Sequence, residues 1–133
     1  MAVTSANVGS VIAGAIPELR ADIEEDEGLV HLIFMELFCW TESAAQGEKS
    51  DEVSKAIRLV DSIFRDCDAD VKNALTVSFL ENVDPENSVG QRIFDALTPE
   101  LRSQWHELDG YMAQQVGKSL RGRVTKKANS EKS

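Results

Sequence analysis

The side chains able to do chemistry in this 133-residue chain are two histidines, two cysteines and 23 carboxylates. A di-iron centre in a helical bundle needs Glu-x-x-His pairs. Gly28 and Ser103 stand three residues before His31 and His106, so neither histidine belongs to such a pair. Asp66-x-Asp68-x-Asp70 opens like a calcium loop, but the sixth and twelfth positions, which need Gly and Glu, are Val71 and Val77. These aspartates read instead as caps and first-turn acids where one helix ends and another begins. His31 and Cys39 lie eight positions apart on one helical segment, roughly 12 Å along its axis, too far for a nucleophile and its base. There is no Gly-x-Ser-x-Gly elbow, and Gly117-Lys118-Ser119 lacks the first glycine and the strand of a phosphate-binding loop. The chain is therefore expected not to be an enzyme, and no catalytic residue, metal ligand or cofactor site is assigned.

Six residues are weighed between a functional and a structural reading. His31 and Glu36 interrupt the apolar residues 29–40 and would suit a ligand or a general base. The structural reading pairs His31 with Glu27 at i,i+4 and places Glu36 in a hydrogen bond at the edge of the core. Cys39 and Cys67 form no CxxC pair, and their apolar surroundings predict reduced, packed thiols of a cytosolic protein. Trp40 and Trp105 read as core residues rather than binding anchors.

The elements that position these residues are helical. Apolar residues recur at spacings of three and four, and no segment alternates with period two, so the fold class is all-α. Pro17 suits a first helical turn, and the acids after it suit a helix start. A helix is expected from about residue 16, continuous or gently broken at Gly28, ending near Gln46 with Gly47 as its cap. The second helix carries Val53, Ala56, Ile57, Val60, Ile63, Phe64 and Cys67 on one face, with Ser50 or Asp51 as cap. A third carries Val71, Ala74, Leu75, Phe79 and Leu80. Ser88 and Gln91 form a capping-box signature for a short helix, and Thr98-Pro99-Glu100 starts a last one with a seam of Leu101, Trp105, Leu108 and Met112. The expectation is a single-domain bundle or short helical-hairpin stack of about five to six helices. Residues 1–15 form a partly ordered N-terminal segment, 16–117 the helical domain and 118–133 a basic tail, disordered from about 121.

Charge narrows the classes of partner. The net charge is −9, but residues 118–133 hold six basic residues against Glu131 alone, +5, which leaves −14 on the first 117 residues. Such a body repels nucleic-acid backbones and anionic lipid. Residues 8–15 imitate the apolar part of a secretion signal, but no Lys or Arg precedes them and two glycines interrupt them. Residues 29–40 fall short of the ~20 that span a bilayer. A cytoplasmic protein is expected, with neither nucleic acid nor membrane as partner. The acids gather in two places: Asp22, Glu24, Glu25, Asp26 and Glu27 in one run, and the turn residues Asp66, Asp68, Asp70, Asp84 and Glu86. They either solvate the surface or form a docking surface for a cationic protein.

Glu24-Glu25-Asp26-Glu27-Gly28-Leu29-Val30-His31-Leu32 and Asn73-Ala74-Leu75-Thr76-Val77-Ser78-Phe79-Leu80-Glu81 resemble two segments of an uncharacterised family of small acidic all-helical bacterial proteins, over about residues 16–116. Proteins of this kind resemble toxin-immunity proteins, which bind and block an antibacterial toxin. The resemblance implies a cytoplasmic inhibitor whose ten carboxylates above are candidates for occluding a basic toxin domain. The alternative is a non-catalytic adaptor that homodimerises through Leu101, Trp105, Leu108 and Met112, so a monomer and a homodimer both remain open.

Overall fold

The computed structural model describes the backbone of residues 2–116 and the side chains of residues 2–111. The expected tail, 118–133, and the side chain of Met112 lie outside these residues. In chain order the α-helices are α1 (Val8–Ala15), α2 (Arg20–Glu25), α3 (Val30–Gln46), α4 (Ser50–Arg65), α5 (Ala69–Ser78), α6 (Ser88–Ala96) and α7 (Pro99–Val116), with 3-10 turns at Pro17–Leu19 and Leu80–Asn82. The described residues are all helical in one domain, with a single isolated parallel bridge between Val3 and Cys67. Seven helices replace the expected five to six for two reasons. Residues 1–15, set apart from the helical domain in sequence, contain α1 and bury Val3, Val8, Ile12 and Ala13 in the common core. The expected long first helix is cut into α2 and α3 at Gly28, whose φ of +83° is costly for any residue but glycine.

Helix α3 is the central element and packs against α1, α2, α4, α5 and α6. Its inner arc buries Ile33, Phe34, Leu37, Phe38, Ala44 and Ala45, and Phe38 meets Phe79 edge-on at 5.4 Å between ring centres. Helix α4 buries Val53, Ala56, Ile57, Val60 and Ile63, the face its periodicity predicts. Trp105 is fully buried against Phe94, and its indole N–H donates to the Val83 carbonyl at 3.0 Å, so the one polar atom of the largest core side chain is satisfied. Trp40 is half-buried at the core margin.

Two N-caps differ from expectation, while Gly47 is the expected cap of α3. Gly47 does cap α3, but the left-handed residue is Glu48, φ 58°, with Lys49 N–H donating to the Ala44 carbonyl (2.8 Å) and Glu48 N–H to that of Ala45 (3.1 Å). This closing pattern of a helix C-terminus runs straight into α4, so Lys49 takes the cap position and Ser50 and Asp51 fall inside the helix. Asn87, not Ser88, caps α6 by accepting from Gly90 N–H at 2.7 Å, and Gln91 turns to Asp95 instead. The remaining two caps are as read from sequence. Asp68 accepts from Val71 N–H at 2.9 Å, and Thr98 Oγ1 accepts from Leu101 N–H at 3.3 Å.

Gly90 has a steric role. A Cβ there would lie 1.8 Å from the Asp84 carbonyl oxygen, a backbone atom that cannot turn aside. Gly90→Ala is expected to lower stability by about 3 kcal/mol or more, within the range of overpacking and backbone displacement. Gly14→Ala, whose Cβ would meet nothing within 4 Å inside α1, is expected to add roughly 0.5–1 kcal/mol. Thermal unfolding followed by circular dichroism reads both, and equal effects would refute the packing assigned to α6.

Candidate protein-binding surface

The acidic run 22–27 does not form one patch, because helix α2 divides it. Asp22, Glu25 and Asp26, at i, i+3 and i+4, turn toward Glu36 on α3. Glu24 and Glu27 border a different cleft of about 440 Å³, together with Arg20, Ser5 and Ser10. The first group bears on Glu36 electrostatically. Burial first, then the charges of Asp22, Asp26 and Glu25 and a hydrogen bond with Asp26, raise the Glu36 carboxyl above its ordinary value. Glu24 and Glu25 close α2, at the helix end where the dipole opposes negative charge, instead of opening a helix as the sequence reading had them. Among the described residues no ion pair relieves Asp22, Glu25, Asp26 or Glu36.

Beside this group runs an apolar strip. Leu29 and Leu32 are 52% and 46% exposed and Met35 38%. At 100° per residue, Leu29, Leu32, Met35, Glu36 and Cys39 fall within one third of the α3 circumference, opposite the buried arc. Cys39 is exposed there, which corrects its reading as a packed core thiol, while Cys67 is half-buried. Burial, followed by Glu42 and Glu36, pushes the Cys39 thiol up, so it is poorly placed to serve as a thiolate nucleophile. His31 flanks the strip. Its Nδ1 lies 2.9 Å from the Ser78 hydroxyl on α5, so the expected Glu27 pairing is replaced by a cross-helix hydrogen bond. Asn82 donates to the Met35 sulfur at 3.6 Å, which ties the strip to the 3-10 turn after α5. A cleft of about 450 Å³ opens at the N-terminal end, lined by Leu29, His31, Leu32, Asp70 and Asn73.

The turn acids have separate fates. Asp70 joins the rim of this cleft, and Asp68 is committed to its cap. Asp66 and Glu86 are exposed elsewhere, Asp66 at the end of α4 and Glu86 after the 3-10 turn 80–82. Asp84 is 3% exposed and accepts from Glu86 N–H at 3.0 Å, so it is a structural turn residue, contrary to its place among the candidate partner-binding residues. Leu101 and Trp105 of the expected dimer face are fully buried within the chain. Among the described residues no cluster of three His, Cys, Asp or Glu is placed to hold a metal, and no helix is long and apolar enough to cross a membrane. Sequence reasoning missed Leu29, Leu32 and Met35 as surface residues. The available signal was that residues 29–40 are apolar on every side, more than one core can cover.

Residues 10–113 match DUF7674, a domain of unknown function. The chain belongs to this family. No curated protein and no solved structure matches the chain. The DUF7674 match runs from α1 into α7, so it contains the α2 acids, the α3 strip and the turn acids alike. Its description names no activity.

Removing the Glu36 charge is expected to stabilise the fold. Because folding raises this carboxyl, the stability it removes is felt as pH climbs from the unfolded carboxyl value through the folded one, and is regained on acidification. Like-charge neighbours on helix surfaces cost about 0.2–0.5 kcal/mol per pair. Glu36→Gln should therefore raise Tm by roughly 1–3 °C at about pH 7 and by less near pH 4. An unchanged or lower Tm at neutral pH would contradict the crowding described.

Proposed function

We propose that the chain is a cytoplasmic protein-binding inhibitor that engages a basic partner through the α2–α3 face, in the manner of toxin-immunity proteins. One observation carries this reading. The exposed strip runs from Leu29, the N-cap of α3, through Leu32 and Met35 on the helix that carries Glu36, beside Asp22, Glu25 and Asp26, whose charges add to burial in raising the Glu36 carboxyl. Apolar anchors rimmed by uncompensated charge combine the two ingredients of a fast and lasting protein interface. The carboxylates would steer a cationic toxin domain and exclude its substrate, and Leu32 and Met35 would slow its departure. Asp70 lies on the rim of the same surface, whereas Asp66 and Glu86 lie outside it and Asp84 inside the fold.

The test is binding to the protein encoded beside this one, followed by surface kinetics at increasing salt. The wild-type association rate should fall steeply with NaCl. Asp22→Asn, Glu25→Gln and Asp26→Asn together should lower it at least tenfold. Leu32→Ala with Met35→Ala should raise the dissociation rate roughly 10- to 100-fold, as loss of central anchors does. Glu86→Gln should change neither rate. Absence of binding, or a neighbour that is no toxin, would remove the immunity reading.

A further inference from the structure

Of the eight Lys and Arg side chains among the described residues, seven are exposed and one, Arg102 on α7, is half-buried. Its Nη2 donates to the Phe94 and Asp95 carbonyls at 3.2 and 3.1 Å, which satisfies the last turn of α6 and explains where the side chain lies. It does not explain the charge. Among the described residues no carboxylate pairs with Arg102, and its Nε is buried with no hydrogen-bond partner. Taking a guanidinium out of water without a counter-charge is costly, and an orphaned buried donor adds to the cost.

Arg102 also lines a cleft of about 530 Å³ together with Leu97, Pro99, Ser103 and His106. No carboxylate lines this cleft, although the chain has 23 Asp and Glu. Among the described residues neither the Ser103 hydroxyl nor a His106 ring nitrogen is engaged in a hydrogen bond, so both can donate to a ligand. Packing holds the donors in place. The His106 ring meets Phe94 and Trp105 edge-on at 5.9 and 5.3 Å between ring centres, and the Arg102 guanidinium carbon lies 5.1 Å from the Phe94 ring centre.

We propose that this α6–α7 cleft binds an organic carboxylate. Arg102 is its counter-charge, Ser103 and His106 donate to it, and Leu97 and Pro99 pack against the apolar body that carries it. A few polar donors beside an apolar wall are the usual make-up of a small-ligand site. A bare inorganic anion would leave Leu97 and Pro99 without a role. The adjoining cleft of about 420 Å³ shares Arg102 and His106 but includes Glu86, whose charge opposes an anion, so the ligand belongs on the Leu97–Pro99 side. The same chemistry is offered by a free carboxylic acid and by the C-terminus of a peptide. The inference stands apart from the α2–α3 surface and needs no basic partner.

Nitrogen-15 NMR of the full chain tests it with four probes at millimolar concentration: phenylacetate, acetyl-alanyl-phenylalanine, the C-terminal amide of that peptide, and inorganic phosphate. Phenylacetate, the peptide acid or both should shift the signals of Leu97, Ser103 and His106 and the Arg102 Nε–H. Response to the peptide acid alone assigns a chain end, and response to phenylacetate assigns a free acid. The amide should bind at least tenfold more weakly than the peptide acid, for want of the charged acceptor. Arg102→Gln should raise Kd roughly 10- to 100-fold, the loss of a hydrogen bond to a charged group. Because Arg102 also holds the end of α6, Ser103→Ala with His106→Phe, at two exposed positions, gives a second reading: Kd should rise at least threefold with the circular dichroism spectrum unchanged. Equal binding of acid and amide would overturn the proposal. So would phosphate shifting these signals as strongly as the acids, or no shift of them with either carboxylate.

Discussion

The structure depends on one constraint: residues 29–40 are apolar on nearly all sides, and among the described residues their neighbours bury only the arc that holds Ile33, Phe34, Leu37 and Phe38. Phe34, Leu37 and Phe38 take the interior, and α1, α4, α5 and α6 close over them. The short helix α2 is left beside the uncovered side and brings carboxylates instead of apolar cover. Burying Leu29, Leu32 and Met35 would have gained roughly 25 cal/mol for each Å² of apolar surface removed from water. That gain is forgone, and like charges are placed where they oppose folding. The proposed docking of a partner rests on this surface, the described region where exposed apolar side chains and like charges lie side by side.

Much of the fold was legible in the sequence because local rules and tertiary packing agree there. The α4 face, the Asp68 and Thr98 caps and the start of α7 at Pro99 all follow from periodicity and turn chemistry. The misses occurred where packing decides between local alternatives. Glycine at position 28 costs only about 1 kcal/mol inside a helix, so its left-handed φ is a tertiary choice that no residue count reveals. The N-terminal segment lacked strong helix signals, yet Val3 pairs with residues 66 and 68 through two backbone hydrogen bonds of 2.9 Å, and α1 is held by burial. His31 found Ser78, 47 residues away, rather than the neighbour a helix would offer.

The surface was legible only in part. Residues 22–27 were recognisable as an acidic run, but its division between a cleft and the side of α3 that carries Glu36 depends on where α2 ends, and Glu36 joins the cluster across an interhelical contact. The turn acids looked equivalent on paper. In the fold Asp68 is a cap, Asp70 a rim residue and Asp84 buried, because each helix end uses its acids differently. Net charge is accordingly a poor guide to this molecule, and the position of four carboxylates beside three exposed apolar side chains is a better one.

Hydroxyl-radical footprinting of the full chain, with and without the protein encoded beside it, tests the central claim most directly. Leucine and methionine side chains report oxidation in proportion to their exposure, so Leu29, Leu32 and Met35 each act as a reporter. The α2–α3 account expects these three to be oxidised in the absence of the neighbour and protected together in the complex, with Tyr111, 60% exposed, unchanged. Protection confined to residues 66–70 or 84–86, with Leu32 and Met35 as reactive as before, would contradict it.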